Sequence, residues 1–178
     1  GLYYVYGPGC YDGYGQGWYY GYGQGRYWRY GYGQGSYGGY GCFIAGTKIL
    51  MADGGYKNIE EVRPGDEVVS YNLSTGEQVT DSVRRLLVHP NNPGGYLILN
   101  DDLKVTGNHR VWVVNKSAWL RADELKTGDE LLTPDGNSQT IFSIEKVEGN
   151  YPVYNLGLPG DNHNYFTENV LVHNWWKA

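Results

Sequence analysis

Short apolar runs follow one another from residue 42 onward, and each ends in Gly, Asn, Asp or Pro. They read TKILMA, DEVVSYN, YLILN, KVTGNHRVWVV, DELLT and NVLVHN. Runs rich in β-branched and aromatic residues and bounded by turn formers are typical of strands. Helical patterns are confined to YKNIEEV and RADEL, each long enough for a single turn. The pattern therefore predicts an all-β fold.

Two segments of this region echo each other. Residues 59–70 read IEEVRPGDEVVS and residues 122–133 read ADELKTGDELLT, so each has an acidic turn, a Gly-Asp-Glu step and an apolar strand. Internal similarity of this kind indicates repeated structural units. We therefore expect two related halves that face one another in a strongly curved sheet of short antiparallel strands.

Residues 1–41 have a different composition. They hold 15 of the 28 glycines and 13 of the 19 tyrosines, and GYGQG occurs at 13–17, 21–25 and 31–35. Glycine raises the entropy cost of ordering and offers nothing to bury, so we expect a disordered, low-complexity segment. Three roles are open: a passive tail, a self-associating adhesive module, or a single-strand nucleic-acid binder, for which two arginines are few.

The net charge and the length of the apolar runs argue against two classes of protein, nucleic-acid binders and membrane-spanning proteins. Residues 42–178 carry 12 basic and 18 acidic side chains, a net charge of −6, which argues against nucleic-acid binding. No apolar run approaches the roughly 20 residues of a membrane span. Cys10 and Cys42 do not indicate a disulfide framework. Gly1 in place of Met indicates a fragment or a processed chain, which leaves a secreted or cell-surface location open.

Reactive side chains occur in four segments: GCFIAGTKI, VTGNHRVWV, DNHNYF and VLVHN. Each is a weak signal by itself, because a lone histidine near a strand end is usually a hydrogen-bonded structural group and an Asn after a strand is usually a cap. The set, in this order, resembles the Hint superfamily, which comprises inteins, bacterial intein-like domains and the autoprocessing domain of Hedgehog proteins. The resemblance covers CFIAGTKIL, TGNHRVWV, VYNLGLPGDNHNYF and NVLVHN.

The resemblance implies a pseudo-twofold, horseshoe-shaped Hint fold with the size of a mini-intein that lacks an endonuclease insert. It implies three regions: a Tyr/Gly-rich flank at 1–41, an autoprocessing domain at 42–174 and a C-terminal flank at 175–178. No cofactor is expected. The substrate would be the chain's own flanking segments, and we expect a monomer.

At the N-terminal junction, the resemblance implies an N-to-S acyl shift. A thiol is the best side-chain nucleophile near neutral pH, so Cys42 would attack the carbonyl of Gly41, which has no Cβ to obstruct it. An amide nitrogen leaves poorly unless it is protonated. The resemblance assigns that proton transfer to His109 and assigns Thr106 to holding the scissile peptide.

At the C-terminal junction, the side-chain amide of Asn174 would attack its own backbone carbonyl and form a succinimide. The reaction is intramolecular, so orientation supplies much of its rate. By resemblance, His173 and His163 polarise the carbonyl and protonate the leaving amine.

The sequence departs from splicing inteins at two positions. Trp175 follows the terminal Asn where splicing needs Cys, Ser or Thr, so we expect two uncoupled cleavages, with the thioester passed to water or an external thiol. Asn155 stands where Asp is common, which is expected to slow the first step. Hedgehog domains lack the terminal Asn, so Asn174 argues against that branch.

Two alternatives remain at the sequence level. The β region can be an inactive scaffold for an adhesive Tyr/Gly module. Cys42, His109, His163 and His173 are also zinc-compatible ligands, but their spacing matches no common zinc motif, so we expect no physiological metal and at most inhibitory zinc.

Overall fold

Sixteen strands and three single 3-10 turns make up the computed structural model of residues 41–174, the part of the chain that the structure describes. The first eight strands are β1 Phe43–Ile44, β2 Lys48–Leu50, β3 Tyr56–Asn58, β4 Glu67–Asn72, β5 Glu77–Ser82, β6 Arg85–Asn92, β7 Tyr96–Leu99 and β8 Leu103–Val105. The others are β9 Arg110–Val113, β10 Ala118–Arg121, β11 Glu130–Leu132, β12 Ser138–Thr140, β13 Ile144–Val147, β14 Tyr151–Gly157, β15 Asn164–Thr167 and β16 Val170–His173. The 3-10 turns are Ile59–Glu61, Val114–Lys116 and Ala122–Glu124.

The all-β prediction is confirmed, and the two helical hints are single 3-10 turns. The run KVTGNHRVWVV differs from the prediction, because it forms two strands, β8 and β9, with a turn between them. That turn is closed by the amide of His109, which donates to the carbonyl of Thr106 at 3.1 Å. The break places three buried polar side chains, Thr106, Asn108 and His109, between two apolar strands.

The strands form two large sheets and one hairpin, and the sheets curl into a half-barrel. The first sheet has the order β13-β7-β8-β1-β14-β6. The second has the order β12-β11-β9-β16-β15-β2-β3, with β10 also paired to β9, and β4 and β5 form the separate hairpin. Every pairing between these strands is antiparallel.

The strands next to the two predicted cleavage points both lie inside a sheet. Strand β1 lies between β8 and β14, which brings the peptide before Phe43 to the end of β8 and to the middle of β14. Strand β16 lies between β9 and β15 and ends at His173. An internal strand has hydrogen-bonding neighbours on both sides, so both junctions are held by the sheets.

One hydrophobic core joins the two sheets. Phe43, Val105 and Leu156 of the first sheet belong to the same buried cluster as Val111 and Tyr165 of the second. A smaller cluster, which includes Leu50, Val69, Phe166 and Leu171, lies on the other face of the second sheet. Because residues 165 and 166 alternate between the two clusters, β15 is buried on both faces, which explains why two large aromatic residues are adjacent in this strand.

The sequence echo corresponds to repeated hydrogen bonds. The amide of Gly65 donates to Val83 and the amide of Gly128 donates to Ile141, both at 2.8 Å. Each Asp that follows these glycines caps the turn, Asp66 on the amide of Arg63 and Asp129 on the amide of Lys126, both at 2.9 Å. The echo therefore marks the same turn, built once in each half.

Within residues 41–174, no helix is both long and apolar enough to cross a membrane. The Tyr/Gly repeat and the residues after Asn174 lie outside the described residues.

Candidate active site

The peptide between Gly41 and Cys42 is held on both of its sides. The amide of Cys42 donates to the hydroxyl oxygen of Thr106 at 2.8 Å. The carbonyl of Gly41 accepts from the side-chain nitrogen of Asn155 at 2.6 Å. The amide of Thr106 also donates to the carbonyl of Cys42 at 2.9 Å. The first predicted scissile bond is thus fixed in a buried position by Thr106, which directly follows β8, and by Asn155 of β14.

Asn108 sets the direction of the Thr106 hydroxyl. The hydroxyl of Thr106 donates to the side-chain oxygen of Asn108 at 2.8 Å, so its lone pairs face the amide of Cys42. Asn108 is buried. Sequence reasoning missed this residue, which stands in TGNH between Thr106 and His109, the two residues that were selected.

His109 lies at the centre of the site. Its ring packs on Phe43, with the ring centroids 4.2 Å apart, and its Nε2 lies 2.9 Å from the carbonyl oxygen of His173. Burial lowers the pKa of His109 to about 3, and the backbone of Gly41 and of His173 offsets this only in part. The imidazole is therefore neutral near pH 7. Because a carbonyl only accepts, Nε2 carries the proton and Nδ1 keeps its lone pair.

Gly41 leaves no room for a side chain. A Cβ built on Gly41 would lie 2.0 Å from the Cα of His109 and 2.1 Å from its Cβ. These contacts involve backbone and the first side-chain atom, so they cannot be relieved by a rotamer change. The close approach brings His109 directly against the residue whose carbonyl would be attacked.

The sulfur of Cys42 is in a disulfide bond. The sequence has one other cysteine, Cys10, which lies outside the described residues. Two cysteines in separate regions did not indicate a disulfide framework in the sequence, so this bond was not anticipated. A disulfide removes the thiolate, which is the nucleophilic form, so Cys42 can attack a carbonyl only after reduction.

Asn174 lies at the buried end of β16. Its amide donates to the carbonyl of His163 at 2.9 Å, and its side-chain nitrogen donates to the carbonyl of Leu158 at 3.2 Å. Its own carbonyl accepts from Nδ1 of His173 at 2.8 Å. This contact polarises the carbonyl that a cyclising Asn would attack. Trp175, the residue predicted to leave, lies outside the described residues.

The two C-terminal histidines lie side by side. The rings of His163 and His173 are stacked, with centroids 6.2 Å apart and an angle of 25° between the planes. Burial lowers the pKa of His173, as do the nearby His163 and Arg110, while the carbonyl of Asn174 raises it. Trp119 packs its edge against His173 at 5.2 Å. The tryptophan was not anticipated from the sequence, because only the fold brings β10 next to the end of β16.

His109 connects the two junctions. Its ring contacts the first residues of the domain through Phe43 and the last through the carbonyl of His173. The structure thus brings Gly41, Cys42, Thr106, His109 and Asn155 together at one junction. It brings His163, His173 and Asn174 together at the other.

No group of three His, Cys, Asp or Glu side chains that could hold a metal ion occurs in the described part of the chain. The four zinc-compatible residues are accordingly arranged as parts of two junctions and not as one ligand set. The fourth histidine, His89 on β6, is buried outside the site.

A family model for the pretoxin HINT domain matches residues 49–175. The chain belongs to this family. The match begins after Cys42, so the assignment of the family rests on the rest of the HINT domain. A search of curated protein sequences found no significant match.

Solved structures place the HINT domain among intein-like folds. The bacterial intein-like domain from Clostridium thermocellum is 31% identical, with a TM-score of 0.67 over 75% of this chain and 98% of that one. A DnaB intein from Synechocystis sp. PCC 6803 is 24% identical, with a TM-score of 0.66 over 76% and 99% of the two chains. The first similarity supports the family, and the second shows the fold. Together with the family match, they support autoprocessing in general as the activity of the HINT domain.

Proposed function

We propose that the chain cleaves its own backbone twice, between Gly41 and Cys42 and between Asn174 and Trp175. In this proposal residues 42–174 are the processing domain, and residues 1–41 and 175–178 are the flanks it releases. The observation that carries the proposal is the position of His109, which contacts Phe43 next to one junction and donates from Nε2 to the His173 carbonyl next to the other.

In the first step, the reduced sulfur of Cys42 attacks the carbonyl carbon of Gly41. A C–S bond forms, the C–N bond of the peptide breaks, and the nitrogen becomes the free amine of Cys42. Nδ1 of neutral His109 takes the thiol proton and returns it to the departing nitrogen. Thr106 orients that nitrogen through its hydrogen bond. The resulting thioester is released by water or by an external thiol.

In the second step, the side-chain nitrogen of Asn174 attacks the carbonyl carbon of the same residue. The ring closes to a succinimide, the bond to Trp175 breaks, and the proton lost by the attacking nitrogen is balanced by the one gained by the leaving amine. His173 supports the carbonyl oxygen from Nδ1. We assign proton delivery to the amine to His163, whose ring lies beside that of His173.

Trp175 determines the outcome of the pair of steps. Its side chain has no atom that can accept an acyl group, so the thioester cannot be transferred to the C-terminal flank. The two flanks are therefore cut off and not joined.

The test is intact mass spectrometry of a chain with a tag at each end. After reduction with a phosphine and addition of a small thiol, we expect cuts after Gly41 and after Asn174. Cys42→Ala should abolish only the first and Asn174→Ala only the second. Phosphine without thiol separates reduction from acyl transfer, because it opens the disulfide but supplies no acceptor other than water.

Cys10→Ser is the matched control for reduction. The first cut should then proceed without any reductant, since Cys42 has no other cysteine in the chain to pair with. A wild-type chain that stays intact in reductant and thiol would contradict the proposal and favour an inactive scaffold.

A further inference from the structure

The side chain of Asn155 is held in one orientation. Its Oδ1 accepts from the amide of Leu156 at 2.7 Å and from the hydroxyl of Tyr165 at 2.7 Å. A backbone amide can only donate, so the atom that faces it must be the oxygen. The nitrogen Nδ2 is consequently directed at the carbonyl oxygen of Gly41, 2.6 Å away.

Tyr165 ties this orientation to the second sheet. It lies on β15, whereas Asn155 lies on β14 of the first sheet, and both side chains are almost fully buried. Burial raises the pKa of Tyr165, so its hydroxyl stays protonated and remains a donor throughout the neutral range. Its ring also meets the edge of Phe43, with centroids 6.3 Å apart.

We propose that Asn155 is a catalytic residue that stabilises the oxyanion at Gly41, and that Tyr165 is the positioning residue that aims it. The inference rests on the proposed cleavage between Gly41 and Cys42. When the C–S bond forms, the carbonyl π pair moves onto the oxygen of Gly41. The Nδ2 hydrogen already points at that oxygen, and the pair returns when the C–N bond breaks. A donor fixed before the reaction needs no reorganisation when charge develops.

This role is the opposite of the effect expected from the sequence, in which Asn155 in place of Asp slows the first step. A carboxylate at the same place could accept from Leu156 and Tyr165, but it would present a second negative oxygen to the carbonyl of Gly41. The neutral amide instead supplies a donor. The loss of charge relative to splicing inteins is thus the feature that allows this side chain to stabilise the oxyanion.

The experiment measures both cuts in the same reduced, thiol-treated chain. Asn155→Ala should slow the cut after Gly41 by about 100- to 1,000-fold, the usual effect of removing one such donor. Tyr165→Phe should slow it by about 3- to 10-fold, because Leu156 still holds the amide. The cut after Asn174 should change less than about 2-fold in either variant, and it serves as the reporter of a folded domain.

The pH profile of Asn155→Asp distinguishes donation from simple packing. An ionised carboxylate cannot donate, but a protonated one can, so the first cut relative to wild type should be slow at pH 7 and recover toward pH 5. Faster cleavage than wild type at pH 7 would mean that a carboxylate activates the thiol, and it would overturn the proposal. This pH profile also tests whether residue 155 donates to the carbonyl oxygen of Gly41 if Asn155→Ala misfolds and cuts at neither end.

A double variant tests whether Tyr165 acts through Asn155. Tyr165→Phe should have no further effect on the first cut in the Asn155→Ala background, because there is no amide left to aim. Phe166→Leu, the adjacent buried residue on the opposite face of β15, is the packing control and should not slow the first cut selectively. Equal, additive losses from Tyr165→Phe in both backgrounds would refute a positioning role.

The two proposals fail in different ways. If the wild-type chain does not cut after Gly41, the proposed function is wrong. If it cuts and Asn155→Ala cuts at the same rate, only the oxyanion assignment is wrong.

Discussion

At the N-terminal junction, three residues other than the nucleophile fix the position of the scissile peptide. Gly41 is needed for space, Thr106 for its lone pairs and Asn108 for its acceptor oxygen. The TGNH segment was recognisable from the sequence as a site, and Thr106 and His109 were selected from it. Asn108 was missed because its role is to orient another side chain, which no spacing rule reports.

Gly41→Ala is expected to slow the first cut by at least about 100-fold. The new Cβ would lie 2.0 Å from the Cα of His109, so the scissile carbonyl or His109 must move, and small displacements at a reacting centre have effects of this size. Densitometry of both products in a reduced, thiol-treated chain measures it.

Gly94→Ala is the matched control for this substitution, because no heavy atom lies within 4 Å of its Cβ position. Both cuts should proceed at the wild-type rate. An undiminished first cut in Gly41→Ala would show that the junction adopts another conformation when it reacts.

The two similar sequence segments fold into the same local structure. The turns at 59–65 and 122–128 were predicted to be related, and both repeat the same backbone and Asp-mediated hydrogen bonds. The strands that follow them also form corresponding pairs, β4 with β5 and β11 with β12. Strand breaks were harder to predict. Val105 and Val111 are equally buried and apolar, so the pattern did not reveal that four residues between them leave the sheet.

Asn164 is the residue by which β15 holds the β4–β5 hairpin. Its side chain accepts from the hydroxyl of Ser70 and the amide of Tyr71, both at 2.8 Å, and donates to the carbonyl of Tyr71 at 2.9 Å. Asn164→Ala leaves these buried groups unpaired and should lower the free energy of unfolding by about 2 to 4 kcal/mol. Urea denaturation of a Cys42→Ala, Asn174→Ala chain, which stays intact, measures the loss.

The control is Asn150→Ala, since Asn150 is exposed and makes one long hydrogen bond of 3.4 Å. It should change stability by less than about 0.5 kcal/mol. Equal effects of the two substitutions would mean that the hairpin is held by apolar packing alone.

The whole molecule buries histidines in a neutral form. Burial lowers the pKa of His89 and His173 and lowers that of His109 to about 3. The unfolded chain, in which histidine has a pKa near 6.5, therefore binds more protons than the folded chain. The stability that these groups contribute is fully present above about pH 6.5 and is lost as the pH falls toward the folded pKa.

We therefore expect the Cys42→Ala, Asn174→Ala chain, which stays intact, to lose stability between pH 7 and pH 5. His109 contributes at most about 1.4 kcal/mol per pH unit to this loss. Asp102 and Glu168, whose pKa values burial raises, oppose this loss at the acid end. Melting temperatures across the range measure the slope. His109→Gln should flatten it, whereas Lys146→Gln at an exposed ion pair should not. A stability of the Cys42→Ala, Asn174→Ala chain that is independent of pH would contradict the buried neutral state.

The sequence by itself determined the all-β class, the two related turns and the ordered blocks that resemble Hint domains. These follow from local composition, turn formers and the order of reactive residues, which need no knowledge of distant contacts. The tertiary structure decided how the ends meet. It placed β1 between β8 and β14 and β16 between β9 and β15, and so it joined His109 to His173, Tyr165 to Asn155 and Trp119 to His173. His109 and Trp119 lie far from His173 in the chain, and Tyr165 and Asn155 lie in different sheets, so only the packing of two curved sheets fixes these contacts.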